Sequence, residues 1–281
     1  MSRSRSAALL LLPALAVLLV LFVLPQAVLL VASFWQRSAY GGLVHAWTLA
    51  NYLRAVEPAY LRILARSVWL AFATTLVCLL AGWPVAYWLA VRTARRLRHA
   101  LVVLVVLPFW TSFLVRLYAW MFLLRQEGLV NQALQALGLP ALPLLYNDFA
   151  VMLGQLYGEL PFMILPLYAS LEKLDPSLLE AAADLGARPW RRLWRVTVPL
   201  AAPGIAAGCL LVFIPSLGAF LAPDLLGGSR SVYAGNLVQS QFAVARDMPF
   251  GSAVSFLLTV VVLALLWAFR RPLRAAGELP G

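Results

Sequence analysis

The sequence predicts an all-α membrane protein with six transmembrane helices, and three observations carry that prediction. Hydrophobic residues make up 63% of the 281 positions and charged residues only 12%, more apolar surface than a water-soluble domain of this length covers. Several apolar runs exceed the roughly 18 residues that a helix needs to cross a hydrocarbon core. Lys and Arg fall in short clusters at the ends of those runs, where topology and anionic headgroups account for them. The net charge of +11 therefore does not point to nucleic acid.

The first run, at about 8–34, follows Arg3 and Arg5 as a signal peptide would, but it is too long for one and lacks a small-x-small exit. It reads as an uncleaved first span. The others are expected at about 64–91, 100–124, 149–171, 200–222 and 251–269. Pro108, Pro161, Pro166, Pro203 and Pro215 lie inside these runs and each removes a backbone donor, which suits kinked helices around an interior path. Retaining positive charge on the cytoplasmic side places Arg92, Arg95, Arg96, Arg98, Lys173, Arg188, Arg191, Arg192, Arg195, Arg270, Arg271 and Arg274 there with Arg3 and Arg5. Arg37, Arg54, Arg62, Arg66, Arg125, Arg230 and Arg246 then fall outside, and both termini are expected in the cytoplasm. After the third span, Gly128 to Asn131 leads into a short surface helix over Gln132 to Leu137, closed by Gly138 and Pro140. No repeat or long linker divides the chain, so one bundle is expected.

The connection between the fourth and fifth runs, 172–199, is unlike a tether. Asp175 suits an N-cap, Pro176 the first helical position, Ser177 to Leu185 an apolar-faced helix and Gly186 its stop. Pro189 then opens a second helix, with Trp190, Leu193 and Trp194 set against the membrane and Arg191, Arg192 and Arg195 toward headgroups or a partner. A loop this helical acts as a rigid lever. Glu180-Ala181-Ala182-Ala183-Asp184-Leu185-Gly186, followed by Val198-Pro199, resembles the EAA loop of ABC-importer permeases. Val196-Thr197-Val198-Pro199 stands where that family has an aliphatic-x-Leu-Pro ending, a conservative departure.

The resemblance implies a type I ABC importer permease fold, with 1–62 as first helix and external loop, 63–269 as the ABC transmembrane type-1 domain and 270–281 as a cytoplasmic tail. It also implies that Ser177, Leu178, Glu180, Ala181, Ala182, Asp184, Leu185, Gly186 and Ala187 dock into a cytoplasmic ATP-binding subunit, present as a dimer. Small residues there allow close approach, and Glu180 accepts hydrogen bonds. A second permease subunit, a related chain, and an external solute-binding protein complete the expected partners, with membrane lipid around them. No cofactor is expected on this chain. ATP and Mg belong to the partner, because no Gly-rich loop followed by Lys is present.

Further segments are similar to the spermidine/putrescine-type permeases of the bacterial inner membrane: Leu107 to Ser112, Leu160 to Tyr168, Leu174 to Ala182, Pro223 to Gly228 and Ala245 to Gly251. They imply a path for a small cationic solute, most simply a polyamine. Permeases for opines, phosphonates, thiamine and iron share the pattern, and the external loops, with seven Arg, show no cation-attracting field.

Glu159 falls inside the fourth run, where a carboxylate facing lipid costs several kcal/mol, so it is expected to face the interior and to suit a passing ammonium. The alternative is a structural pair with Arg116, itself a poor contact for a cation. Asp224 and Asp247 flank the last external loop and are candidates for the binding protein or the entering ligand. Trp110, Tyr118, Trp120, Tyr157, Tyr168 and Tyr233 are candidates for an aromatic lining, or belong to interfacial belts. Among these, Trp110 and Tyr157 join Glu159, Asp224 and Asp247 as candidate path residues. His45 and His99 stand in unrelated loops and Cys78 and Cys209 in apolar runs, which excludes a zinc site, a catalytic relay and a disulfide framework. A secondary transporter would need ion-coupling carboxylates or inverted repeats, and the sequence offers one intramembrane Glu and no repeat. The chain is expected to be no enzyme.

Overall fold

In lipid each backbone N–H must bond within its own segment, so apolar runs become helices. The computed structural model describes residues 12–38, 42–228 and 231–277. The readings that rest on Arg3, Arg5 and Arg230, and on the side chains of Arg95, Arg270, Arg271 and Arg274, lie outside what it describes.

The elements in order are α1 (Leu12–Ala32), a hairpin of β1 (Gln36–Arg37) and β2 (Leu43–Val44), α2 (Ala50–Ala55) and α3 (Pro58–Arg92). Next along the chain are α4 (Arg95–Val106), α5 (Phe113–Leu124), α6 (Leu129–Ala136) and α7 (Asp148–Leu171). The last four are α8 (Pro176–Asp184), α9 (Pro189–Gly218), α10 (Ala234–Ala243) and α11 (Met248–Gly277). Among the described residues five helices, α1, α3, α7, α9 and α11, are long and apolar enough to cross a membrane, and a bent pair brings the number to as many as six.

That pair corrects the third expected span, 100–124, which is not one helix. α4 runs on as a 3-10 turn over Leu107–Trp110, Thr111 and Ser112 are extended, and α5 leaves at 85°. Pro108 starts the tighter turn, and the Thr111 hydroxyl donates to its carbonyl at 2.8 Å, which stops the helix. The second short helix expected after Pro189 is also not separate: through a π turn at Leu193–Thr197 it forms the first turns of α9. The surface helix appears as α6, closed by Gly138 at φ +76°.

The contacts group into two units. The first comprises the described residues up to 62 with 237–260. Within it the Asn51 amide donates to the Ser33 and Trp35 carbonyls, each at 2.8 Å, and Arg54 pairs with the buried Asp247 at 2.9 Å while lying 4.0 Å from the Phe250 ring centre. The second unit comprises 63–236 with 261–281, and its centre is α7. Helices in lipid approach closely where small residues line the seam. A Cβ on Gly204 of α9 would sit 2.6 Å from the Pro166 carbonyl oxygen, and one on Gly208 2.7 Å from the Met163 sulfur. A Gly-x-x-x-Gly seam thus packs α9 against α7. On another side of α7, Gly158 receives the Phe113 ring of α5, 2.8 Å from where a Cβ would stand. Gln155 of α7 is buried and takes a hydrogen bond from Thr74 at 3.1 Å, linking α7 to α3.

Candidate functional site

α7 ends at Leu171, and the segment beyond it, residues 172–187, is mostly exposed. Glu172 is the last helical cap of α7, and it accepts hydrogen bonds from Tyr168 at 2.6 Å and from Arg98 at 3.3 Å. The Tyr168 hydroxyl, and then the Arg98 guanidinium, hold the Glu172 carboxyl below the usual glutamate range. Arg98 also donates to the Ala90 carbonyl at 2.7 Å. One guanidinium thus ties together the end of α3, the start of α4 and the foot of the 172–187 arm.

The arm is a short helix closed at both ends by its own residues. Asp175 accepts from the Ser177 N–H at 2.9 Å, which lowers the pKa of its carboxyl, and Pro176 fills the first helical position. At the other end the Gly186 N–H donates to Ala183 at 2.8 Å and the Ala187 N–H to Ala182 at 3.0 Å, with Gly186 at φ +75°. These two bonds are the reciprocal pair of a Schellman stop, which needs a left-handed residue at the position Gly186 holds. No residue of α8 is buried, and Leu185 is 88% exposed. Ser177, Leu178, Glu180, Ala181, Asp184, Leu185 and Gly186 are all exposed, while Ala182 and Ala187 are half-buried.

The five candidate path residues meet different neighbours. Glu159 is half-buried on α7, and its Oε2 is buried with no hydrogen-bond partner among the described residues. The alternative pairing with Arg116 is not made. Instead the Arg116 guanidinium lies 5.5 to 5.6 Å from the ring centres of Phe109, Phe113 and Tyr157, with Nε and Nη1 buried and unbonded. Tyr157 stands edge-on to Trp120 at 6.0 Å. Trp110 is 81% exposed at the bend between α4 and α5. Asp224 is exposed and accepts a hydrogen bond from the Asn236 amide. Asp247 is committed to Arg54 and also accepts from the Phe250 N–H at 3.3 Å, so it clasps the first unit together. No group of three or more metal-ligating side chains occurs among the described residues.

Two polar clusters escaped the sequence reading. Arg66 of α3 donates to Asp148 at the start of α7, and Tyr233 donates to the same carboxylate at 2.7 Å. Burial, and then the hydrogen bond to Asp148, pushes the pKa of the Tyr233 hydroxyl up and keeps it a donor. The other is the Arg98–Glu172 foot. Both join residues more than 70 positions apart, and no local pattern marks such a pair.

Comparison with known proteins agrees with this geometry. Residues 79–271 match the family described as binding-protein-dependent transport system inner membrane component. The chain is similar to the spermidine/putrescine transport system permease protein PotB of Haemophilus influenzae, 42% identical over 90% of this chain and 89% of that one. It is 41% identical to the protein of the same name from Escherichia coli K12, over 93% of this chain and 97% of that one. A crystal structure of a bacterial ABC transporter that imports the acidic polysaccharide alginate shares the fold, with TM-score 0.76 at 18% identity over 97% of this chain and 96% of that one. The family match covers more than half of the chain and two relatives exceed 40% identity across most of it, so this chain belongs to the binding-protein-dependent transport system inner membrane components and is a transport subunit, not an enzyme.

Proposed function

We propose that this chain is one of a pair of permease subunits that form the inward path for a small polyamine, putrescine or spermidine, in an ATP-driven importer. The observation that carries the mechanical part is the exposed arm. α8 is stiffened at both ends by its own caps and buries none of its residues, the character of an element that another protein covers. A separate ATP-binding dimer takes hold of Ser177 to Ala187, and Mg and ATP belong to that subunit. Movement of the arm reaches α7 directly and reaches α3 and α4 through Glu172 and Arg98. Both termini lie in the cytoplasm in this reading, and a loaded binding protein arrives on the opposite face.

Identity of 41–42% to two spermidine/putrescine permeases supports the substrate class. The chemistry of Glu159 fits it. A half-buried carboxylate oxygen with no partner has lost water without recovering a hydrogen bond, and an ammonium passing it restores both charge balance and a donor. The fold leaves substrate charge open, because the alginate importer shares it. Uptake of labelled putrescine and spermidine into proteoliposomes holding the full complex, set beside a phosphonate and thiamine, tests the assignment. Saturable, ATP-dependent polyamine uptake is expected. Uptake of the phosphonate or of thiamine alone would overturn it.

A further inference from the structure

The start of α9 carries a basic, aromatic surface that lies outside the Ser177 to Ala187 arm proposed to dock. Arg188, Arg191, Arg192 and Arg195 fall within eight residues, and no acid lies among them. Arg188, Arg191 and Arg195 are exposed and have no hydrogen-bond or ion-pair partner among the described residues. Between them Trp190 and Trp194 are 67% and 54% exposed, and their rings meet edge to face at 5.5 Å. Along a helix, Trp190 and Trp194 form one stripe and Arg191 and Arg195 the adjacent one. Cations in a first helical turn oppose the helix dipole, so local helix stability does not explain them.

Two occupants of this surface differ in chemistry. The docking helix α8 carries Glu180 and Asp184 and no base, whereas the 188–195 segment carries only bases. This segment is also continuous with the apolar body of α9, within two turns of residues that span the membrane. Indoles at that depth sit at the headgroup level, and guanidinium groups beside them form bidentate bonds to phosphate. We infer that Trp190, Trp194, Arg191 and Arg195, with Arg188 beside them, bind the phosphate of an anionic phospholipid and hold the foot of α9 to the membrane surface next to the moving arm. Such binding requires the membrane span alone and is independent of the substrate and the ATPase assigned above.

Each arginine near an anionic membrane surface is worth roughly fivefold in binding. Native mass spectrometry of the purified complex after exchange into phosphatidylcholine with phosphatidylglycerol is the test. The wild type should retain phosphatidylglycerol, and the double variant Arg191→Gln/Arg195→Gln should retain roughly 25-fold less. The charge-preserving Arg191→Lys/Arg195→Lys should recover the part that charge alone supplies but not the bidentate part, and so fall between the wild type and the Gln pair, which separates lipid capture from misfolding of the Gln pair. Equal retention by wild type and the Gln pair overturns the proposal. Loss of the ATP-binding subunit from the Gln pair with lipid retention unchanged also overturns it, because the surface would then be a protein contact.

Discussion

The 172–187 arm and the helix that precedes it, α7, are rigid for opposite reasons. α7 is fixed by its neighbours, with Gly204 and Gly208 of α9 seated against it, Phe113 on Gly158 and Thr74 bonded to Gln155. α8 is fixed by itself, with Asp175 at one end and the Gly186 turn at the other, and none of its residues is buried. A helix this short is not stable in water from propensity alone. Caps at both ends with no buried residue between them suit the docking role proposed for this arm. In α7 the functional candidate is an unsatisfied group inside the packing. In α8 it is the whole exposed face.

Four predictions sharpen that contrast. The largest effect belongs to the arm. Gly186→Trp should abolish uptake, by more than about 100-fold, with normal amounts of protein in the membrane fraction, because an indole holds a close-packed partner off the arm. Gly186→Ala, which adds only the left-handed backbone penalty of about 1–2 kcal/mol to a site with open space around it, should leave most of the uptake. Equal loss in both variants would mean that helix closure matters and contact does not. Second is Glu159→Gln, which keeps shape and removes charge. We expect roughly tenfold lower kcat/KM for spermidine, about 1.4 kcal/mol, with assembly of the complex unchanged. A wild-type value would remove Glu159 from the path.

Third is the clasp of the first unit. Asp247→Asn leaves Arg54 facing a neutral amide, and because Arg54 is 41% exposed the cost should stay near 1–3 kcal/mol, below that of a fully buried pair. A thermal melt in detergent checks it, with a fall of a few degrees and the uptake of the surviving protein unchanged. The smallest effect is at the foot of the arm. Glu172 titrates below its ordinary value of 4.5, so its contribution is present above that pH in the folded state and is lost as pH falls through its lowered value. Measured against the intrinsic exchange rate at each pH, residues 172–187 should lose protection below about pH 4.5 and should already show that loss at neutral pH in Glu172→Gln. No change in either would leave the foot without a role in holding the arm.

Much of this was legible in the residues. The arm was, because its signals are local: Asp175, Pro176 and Gly186 each specify backbone geometry within a few positions. The long spans were legible from length and hydropathy alone. The bend between α4 and α5 was not, because Pro108 inside an apolar run marks a disturbance without giving its angle. Asp247 resembled a loop carboxylate, and nothing in its neighbourhood announced Arg54, 193 residues away. The positive-inside rule left Arg54 and Arg66 as exceptions in the expected topology, and the structure supplies each with a carboxylate, Asp247 and Asp148, partners that the sequence did not announce. Arg116 shows the limit of pairing by charge, since the three rings around it stand where a carboxylate was considered.

Whether a nucleotide-hydrolysing subunit grips the arm can be read from a cross-link. Leu185, 88% exposed at the end of the arm, is replaced by Cys in a chain whose Cys78 and Cys209 are first changed to Ser, and the intact importer is labelled with a maleimide–benzophenone reagent and irradiated, so that no thiol on the partner is needed. A covalent adduct between this chain and the nucleotide-hydrolysing subunit is expected, formed at the same site whichever polyamine is supplied. An importer that transports normally while Leu185→Cys yields no adduct with that subunit would contradict the grip.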